Sequence, residues 1–363
     1  MAEGSLSDFI DEASEGSRLR VEQDLGGGFV RLRTSEAERR QAAQDIRSSE
    51  DALVELLRNA RDAGARHIFT AFQREGAQRT NTVIDDGSGI PEAMQERIFE
   101  PRVTSKLDSA HMDKWGMHGR GMALFSIREN AEQARVAFSA PGLGTALTVV
   151  TDTASLPERA DQSTFPHFEL KDGVAAMRGP RNLLRTAAEF ALEHRDEVTV
   201  FCGSLAEVAA ALLAFGMATT TPALRAFGGS FQEQPLVRWL ACAPDPAAFA
   251  ERAALMGLEL SERTARRVLD GQVEPPLPLR DLLEAQLTAG KGAASRNRTT
   301  SAKRHEGGPA LRLTEEDRCE LAEAMQQAFA AVAERYYLDP SVKPRIAISG
   351  DSLSVTVPLV PER

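Results

Sequence analysis

Glu55, Asn59 and Asp62 stand at i, i+4 and i+7 in Glu55-Leu-Leu-Arg-Asn59-Ala-Arg-Asp62, so a helix there carries all three on one face. A carboxylate one turn from a carboxamide suits metal-assisted hydrolysis. Glu55 can take a proton from an attacking water, and the Asn59 amide oxygen can sit on Mg²⁺ while phosphate oxygens and waters complete its shell. Further on, Thr80-Asn-Thr-Val-Ile84 alternates β-branched residues and reads as a strand running into Asp85-Asp-Gly87-Ser-Gly89-Ile90-Pro. A carboxylate fixed at that strand end can accept a hydrogen bond from the exocyclic amine of adenine, which guanine does not offer there. Gly87 and Gly89 permit positive φ or a ligand lying close to the backbone. Gly116-Met-His-Gly119-Arg120-Gly121 precedes an apolar helix opening at Met122, and glycines at such a place expose N–H groups as an anion site. Gly144-Thr145 starts an apolar strand to Val150, where the threonine hydroxyl could reach a base through water. Taken singly, each feature has a plain alternative: a solvated helix face, an ordinary Asp-Gly turn, a glycine-rich loop.

Several elements must position these groups. Ser48-Ser49-Glu-Asp is a helix start, and Leu53, Leu56, Leu57 and Ala60 form an apolar stripe ending near Gly64. No Gly-x-x-x-x-Gly-Lys-Ser/Thr occurs, so the glycines do not belong to a P-loop.

The four motifs, in this order and spacing, resemble the GHKL ATPases, the superfamily of gyrase B, the ninety-kilodalton heat-shock chaperone, histidine kinases and MutL. Glu55-x-x-x-Asn59 with Asp62-Ala-Gly-Ala65 is most similar to the MutL form and also resembles the chaperone form. Ile98-Phe-Glu-Pro-Arg-Val-Thr-Ser-Lys106 resembles both the phenylalanine box of the kinases and the Thr-Ser-Lys of MutL. The resemblance implies an α/β fold of the Bergerat type over residues 25–155, a sandwich of helices on a mixed sheet with ATP between them under a lid. It implies Glu55 as general base, Asn59 as Mg²⁺ ligand, Asp85 as adenine contact, and Gly87, Gly89 and Ile90 around the base. Residues 100–121 form the implied lid. Asp62, Lys106, Gly116, Gly119, Arg120, Gly121, Met122 and Thr145 complete the implied nucleotide contacts.

Hydrolysing branches carry glutamate at the first position of this box, as Glu55 does. A histidine kinase needs an acceptor histidine upstream, and none precedes Glu55; His194, in Leu-Glu-His-Arg-Asp, lies downstream without the usual following proline and reads as a surface helix histidine. An ATPase is therefore expected; the alternatives are an ATP-regulated DNA-binding or processing protein of the MutL kind, a chaperone-like or scaffold ATPase and, behind these, a protein kinase of this superfamily. The strict Gly-Phe-Arg-Gly-Glu-Ala box of MutL is replaced by Gly116-Met-His-Gly119-Arg-Gly121-Met-Ala, and no second-domain lysine for the γ-phosphate is recognisable. These departures set the chain apart from MutL itself, and the missing lysine implies slow turnover, or binding alone. ATP closing the lid would create a surface for self-association, so a homodimer on ATP binding is expected.

Forty-three basic residues against 53 acidic ones give a net charge of −10, which excludes a global field for nucleic acid or an anionic membrane. Cys202, Cys242 and Cys319 lie far apart, in neither a metal spacing nor a disulfide framework. The first residues are acidic without an apolar core and no 18-residue apolar run occurs, so a cytoplasmic protein without membrane contact is expected.

The remaining organisation is expected as a flexible segment 1–24, a connection 156–180, a mostly helical second domain 181–288, a basic mobile linker 289–312, and a C-terminal helix with a β-hairpin over 313–363. Residues 250–269 resemble a helix-turn-helix with Gly257 at the turn and Arg263, Arg266 and Arg267 on one face of the second helix. A helical hairpin with a solvated arginine face reads as well. The 290–304 stretch, with Lys291, Arg296, Arg298, Lys303 and Arg304 and no acid, is a second candidate grip on DNA phosphates, or a solvated linker.

Overall fold

A computed structural model describes residues 21–285 and 315–357, apart from 106–110, 114–115, 119–120, 160, 172–173, 228, 334–338, 343 and 350–351. The chain divides into two compact units, 1–297 and 298–363.

In the first unit, strands β1 (Val21–Gly26) and β2 (Phe29–Leu32) form an antiparallel pair, extended on β2 by the short β5 (Val103–Thr104). The expected flexible segment 1–24 therefore ends early, because Val21 to Asp24 are ladder residues of β1. Helix α1 (Glu36–Ala43) starts from a capping box in which Ser35 and Glu38 satisfy each other's backbone N–H. Helix α2 (Ser49–Asp62) starts at Ser48, whose hydroxyl accepts from the Asp51 N–H at 3.2 Å. Ala52, Leu53, Leu56, Leu57 and Ala60 bury its apolar stripe, and Gly64 at φ 77° ends it.

Strands β3 (His67–Glu75) and β4 (Gln78–Asp85) pair as a hairpin. The chain then runs through β6 (His111–Asp113), β7 (Gly116–His118), helix α3 (Ala123–Asn130), β8 (Gln133–Ala140) and β9 (Gly144–Asp152). Strands β10 (His167–Lys171) and β11 (Val174–Arg178) form a separate hairpin inside the expected 156–180 connection. Helix α4 (Leu183–Glu193), β12 (Thr199–Gly203), helix α5 (Leu205–Thr219) and the short α6 (Pro222–Phe227) follow. A 3₁₀ segment Leu236–Cys242 and helices α7 (Pro246–Leu255) and α8 (Glu262–Leu269) come next.

The central sheet has five strands in the order β12-β3-β4-β9-β8. It is mixed: β12 runs parallel to β3, while the other neighbours are antiparallel. One face packs on α2 and α4, burying Leu53, Leu57, Ile68, Val83, Val149 and Phe190. The opposite face buries Phe69, Ala71, Ile84 and Ala146 against Val208, Leu212, Trp239 and Phe249.

This arrangement corrects the expectation of a separate domain over 181–288. Strand β12 is the edge of the same sheet, α4 lies beside α2, and α5, α7 and α8 cover the second sheet face. The physical reason is burial: Phe69, Ala71, Ile84 and Ala146 leave a largely apolar sheet face that needs a cover. The helix-turn-helix segment serves that cover. Both helices form, but Met256 and Leu258 at their turn are 0% exposed, and the Gly257 carbonyl accepts from the Thr82 hydroxyl at 3.1 Å. Gly257 sits at φ 80°, and a Cβ there would lie 2.3 Å from Thr148 Oγ1, so only glycine fits the seat. Arg263, Arg266 and Arg267 face outward on α8.

The second unit contains helix α9 (Glu315–Ala333) and a hairpin of β13 (Arg345–Ser349) with β14 (Ser352–Thr356), as the sequence pattern indicates. The 289–312 linker lies outside the described residues. Among the described residues, no helix is long and apolar enough to cross a membrane.

Candidate nucleotide site

A cavity of about 420 Å³ opens between α2, the C-terminal end of β4 and the start of α3. Glu55, Asn59 and Asp62 line it from the polar face of α2, while Asp85 and Thr145 line it from the sheet. The register explains the second pair, since Asp85 on β4 lies directly opposite Thr145 on β9.

Asp85 is 4% exposed, and its Oδ1 accepts the Gly87 N–H at 2.8 Å. Burial, with help from the neighbouring Asp86 charge, pushes its carboxyl up to about 7 against the hydrogen bonds from Gly87 and Thr145. Asp86 turns outward. Burial opposes its ionisation, but hydrogen bonds from His67 Nδ1 at 2.7 Å and from the Arg66 and His67 N–H groups hold its carboxyl below the usual range.

The turn after β4 depends on glycine. Gly89 has φ 72°, and a Cβ there would fall 1.9 Å from the Ala140 carbonyl oxygen. Gly144 has φ 94°, and its Cβ would meet the Asp85 carbonyl oxygen at 2.2 Å. These two close approaches pack the β8–β9 turn on the Asp85 loop. Ser139 joins them: its hydroxyl accepts from the Ile90 N–H at 2.7 Å and lies 3.0 Å from Thr145 Oγ1.

On α2, Arg58 Nη1 donates to the Glu55 carboxylate, and both residues line the cavity. The Asn59 Nδ2 is buried on the cavity side and has no hydrogen-bond partner, so it is a donor suited to an acceptor such as a phosphate oxygen. Asp62 is held by Arg61 through contacts of 2.7 and 3.0 Å. Across the cavity, α3 begins without a side-chain cap, and Gly121, Ala123 and Leu124 line the wall. First-turn N–H groups left open in this way suit an anion.

The sequence profile described as "Histidine kinase-, DNA gyrase B-, and HSP90-like ATPase" matches residues 44–155. Those residues are a domain of this ATPase superfamily. Part of this chain is similar to the DNA mismatch repair protein MutL of Thermus aquaticus, with 42% identity over 23% of this chain and 15% of that protein. MutL of Phocaeicola vulgatus is 36% identical over 30% of this chain and 18% of its own length. MutL of Staphylococcus aureus is 34% identical over 28% and 15%. The matched segments thus span less than a fifth of these relatives.

Within this GHKL domain, Glu55, Asn59, Asp62, Asp85, Gly89, Ile90, Gly121 and Thr145 all reach the cavity, and Gly87 bonds to Asp85 beside it. Met122 caps α3 at the rim without lining the wall. Lys106, Gly119 and Arg120 lie outside the described residues. Gly116 differs from its expected place in a loop opening a helix: it begins β7, opposite Asp113 of β6, and α3 starts later, at Ala123. Gly121 instead makes the close approach. It has φ 67°, and its carbonyl accepts from the Arg102 N–H at 2.8 Å.

His194 is a further correction. It is 8% exposed, not on the surface, with Nε2 3.0 Å from Arg61 Nη1 and its ring against Phe190. Sequence reasoning missed Arg58 and Ser139 as parts of the site. Arg58 was legible from its place between Glu55 and Asn59, whereas Ser139 reaches the site only through the β8–β9 register.

Proposed function

We propose that this chain binds ATP with Mg²⁺ and hydrolyses it slowly, and that nucleotide occupancy changes the arrangement of the elements around the cavity. The observation that carries this reading is the buried Asp85 at the cavity floor with the unpartnered Asn59 Nδ2 on its wall. Asp85 in its ionised form accepts the adenine amine, and Thr145 with Ser139 supplies hydroxyls toward the base. The open N–H groups of α3 face the phosphates. Glu55 takes a proton from the attacking water, which its carboxylate can do when aimed at the γ-phosphate side.

The donors on α2 fit Mg²⁺. A carboxamide oxygen is a hard ligand, Asn59 lines the cavity, and phosphate oxygens and waters would fill the remaining positions. When bound, the ion neutralises phosphate charge. Gly87 and Gly89 give the base its close backbone approach, and Asp62, Lys106, Gly116, Gly119, Arg120, Gly121 and Met122 belong to the nucleotide's surroundings in this reading. A cytoplasmic location and self-association on ATP binding complete it.

A second reading adds DNA, because Arg263, Arg266 and Arg267 project from one exposed side of α8. Turnover measured with Mg²⁺ or EDTA, with and without DNA, across protein concentration tests both. Mg²⁺-dependent turnover supports the ATPase. A DNA-stimulated rate that Arg263→Glu with Arg266→Glu and Arg267→Glu removes supports the second reading. Absence of any nucleotide binding sinks the first.

A further inference from the structure

Of the charged groups that line the cavity, Asp85 is engaged by the Gly87 N–H and Asp62 by Arg61. Glu55 is engaged by Arg58, one turn further along α2, whose Nη1 donates to Glu55 Oε1. The Arg58 side chain is 4% exposed and that of Glu55 19%. A guanidinium does not lose its charge inside a protein, and buried so deeply it requires an anion. Glu55 supplies it from the same helix, in an i, i+3 geometry that the backbone fixes. The contact uses one carboxylate oxygen and leaves Glu55 lining the cavity beside Asn59. A general base works only when held in reach of its water, and in catalytic dyads a third group commonly does the holding.

We propose that Arg58 is a positioning residue for Glu55, fixing its carboxylate against α2 so that it faces the attacking water. This rests on the nucleotide reading above and deepens it by assigning the group that orients the base. Arg58 then acts through Glu55 and not on the phosphates.

The test is a double-mutant cycle on the full chain, combined with calorimetric ATP binding. Arg58→Met, which keeps length and apolar packing, should lower kcat about 10–100-fold while KM for ATP changes less than about twofold. Arg58→Lys should recover part of the loss. In a Glu55→Gln background, Arg58→Met should change the residual single-turnover rate no further, because its effect passes through the carboxylate.

An unchanged kcat overturns the proposal, as does a rise in KM at constant kcat, which would make Arg58 a phosphate contact. A further loss in the Glu55→Gln background also overturns it and makes Arg58 structural. If Arg58→Met does not fold, the same cycle with Arg58→Lys decides, with the same outcomes. A wild type that binds no ATP refutes the nucleotide reading itself. A wild type that binds ATP but turns over none leaves that reading's binding half standing and overturns the positioning role.

Discussion

On the sheet face that carries α2, Asn59 Nδ2, Thr70 Oγ1 and both amide atoms of Asn81 are buried without hydrogen-bond partners. On the opposite face, Thr82 bonds to the Gly257 carbonyl and lies 3.3 Å from Thr148 Oγ1. Trp239 there is 0% exposed and donates its indole N–H to the Gln234 carbonyl at 2.9 Å. Asn81 and Thr82 are neighbours in one strand, yet alternation sends them to faces built to different rules. The second face is closed and satisfied, as a cover for an apolar sheet should be. The first face tolerates unpaired polar groups and a carboxyl raised to about 7, a cost that folding alone gives no reason to keep. The difference teaches where to look for chemistry: in the face whose polar groups are left wanting.

The comparison can be broken by substitutions on either side. On the first face, Glu55→Ala should lower ATP hydrolysis by about 10²–10⁴ while leaving ATP binding nearly intact, and it should also cost stability, because the buried Arg58 guanidinium loses its anion. Equal loss of binding and turnover would make Glu55 structural. On the second face, Trp239→Ala should cost about 3–5 kcal/mol in denaturant unfolding, since it empties a site walled by Phe138 and Phe231. ATP affinity of the folded fraction should stay within about twofold, and a large loss of affinity would show that the faces are not separable.

Asp85 sharpens the contrast through pH. Its folded carboxyl, near 7, stands above the ordinary aspartate value of 3.8, so the folded state holds this proton more tightly than the unfolded chain. The favourable contribution is full below the unfolded value and is lost as pH rises toward the folded one. Asp85→Asn should therefore gain stability relative to wild type between about pH 4 and 7, by up to roughly 4 kcal/mol. Paired thermal melts across that window check it, and a pH-independent difference contradicts it. The smallest effects come from the adjacent pair. Asn81→Leu, replacing unpartnered polar atoms, should stabilise by about 1 kcal/mol, whereas Thr82→Val, losing a satisfied hydroxyl, should destabilise by about 1 kcal/mol. The same sign for both would erase the distinction.

Sequence alone revealed the first face far better than the second. Glu55, Asn59 and Asp62 are spaced by the helix period, and Asp85 closes a strand with its turn glycines beside it, so local patterning carries most of the site. The second face was misjudged as a separate domain because its link is a parallel pairing, Thr199 with His67, which no local period encodes. Gly257 was read as a turn between two helices, but its fit depends on Thr148 from a distant strand. Ser139 likewise enters the site through register, and the buried contact of His194 with Arg61 needs α4 to lie against α2. Local chemistry was visible; long-range pairing was not.

Titration calorimetry of ATP and GTP into wild type and Asp85→Asn, at pH 8 with Mg²⁺, bears most directly on the claim that the first face is an adenine-nucleotide site. ATP should bind the wild type, GTP should compete poorly, and Asp85→Asn should lose most of the ATP affinity while remaining folded, because a donor then faces the adenine amine. Equal binding of ATP and GTP, or full ATP affinity in Asp85→Asn, would contradict that assignment.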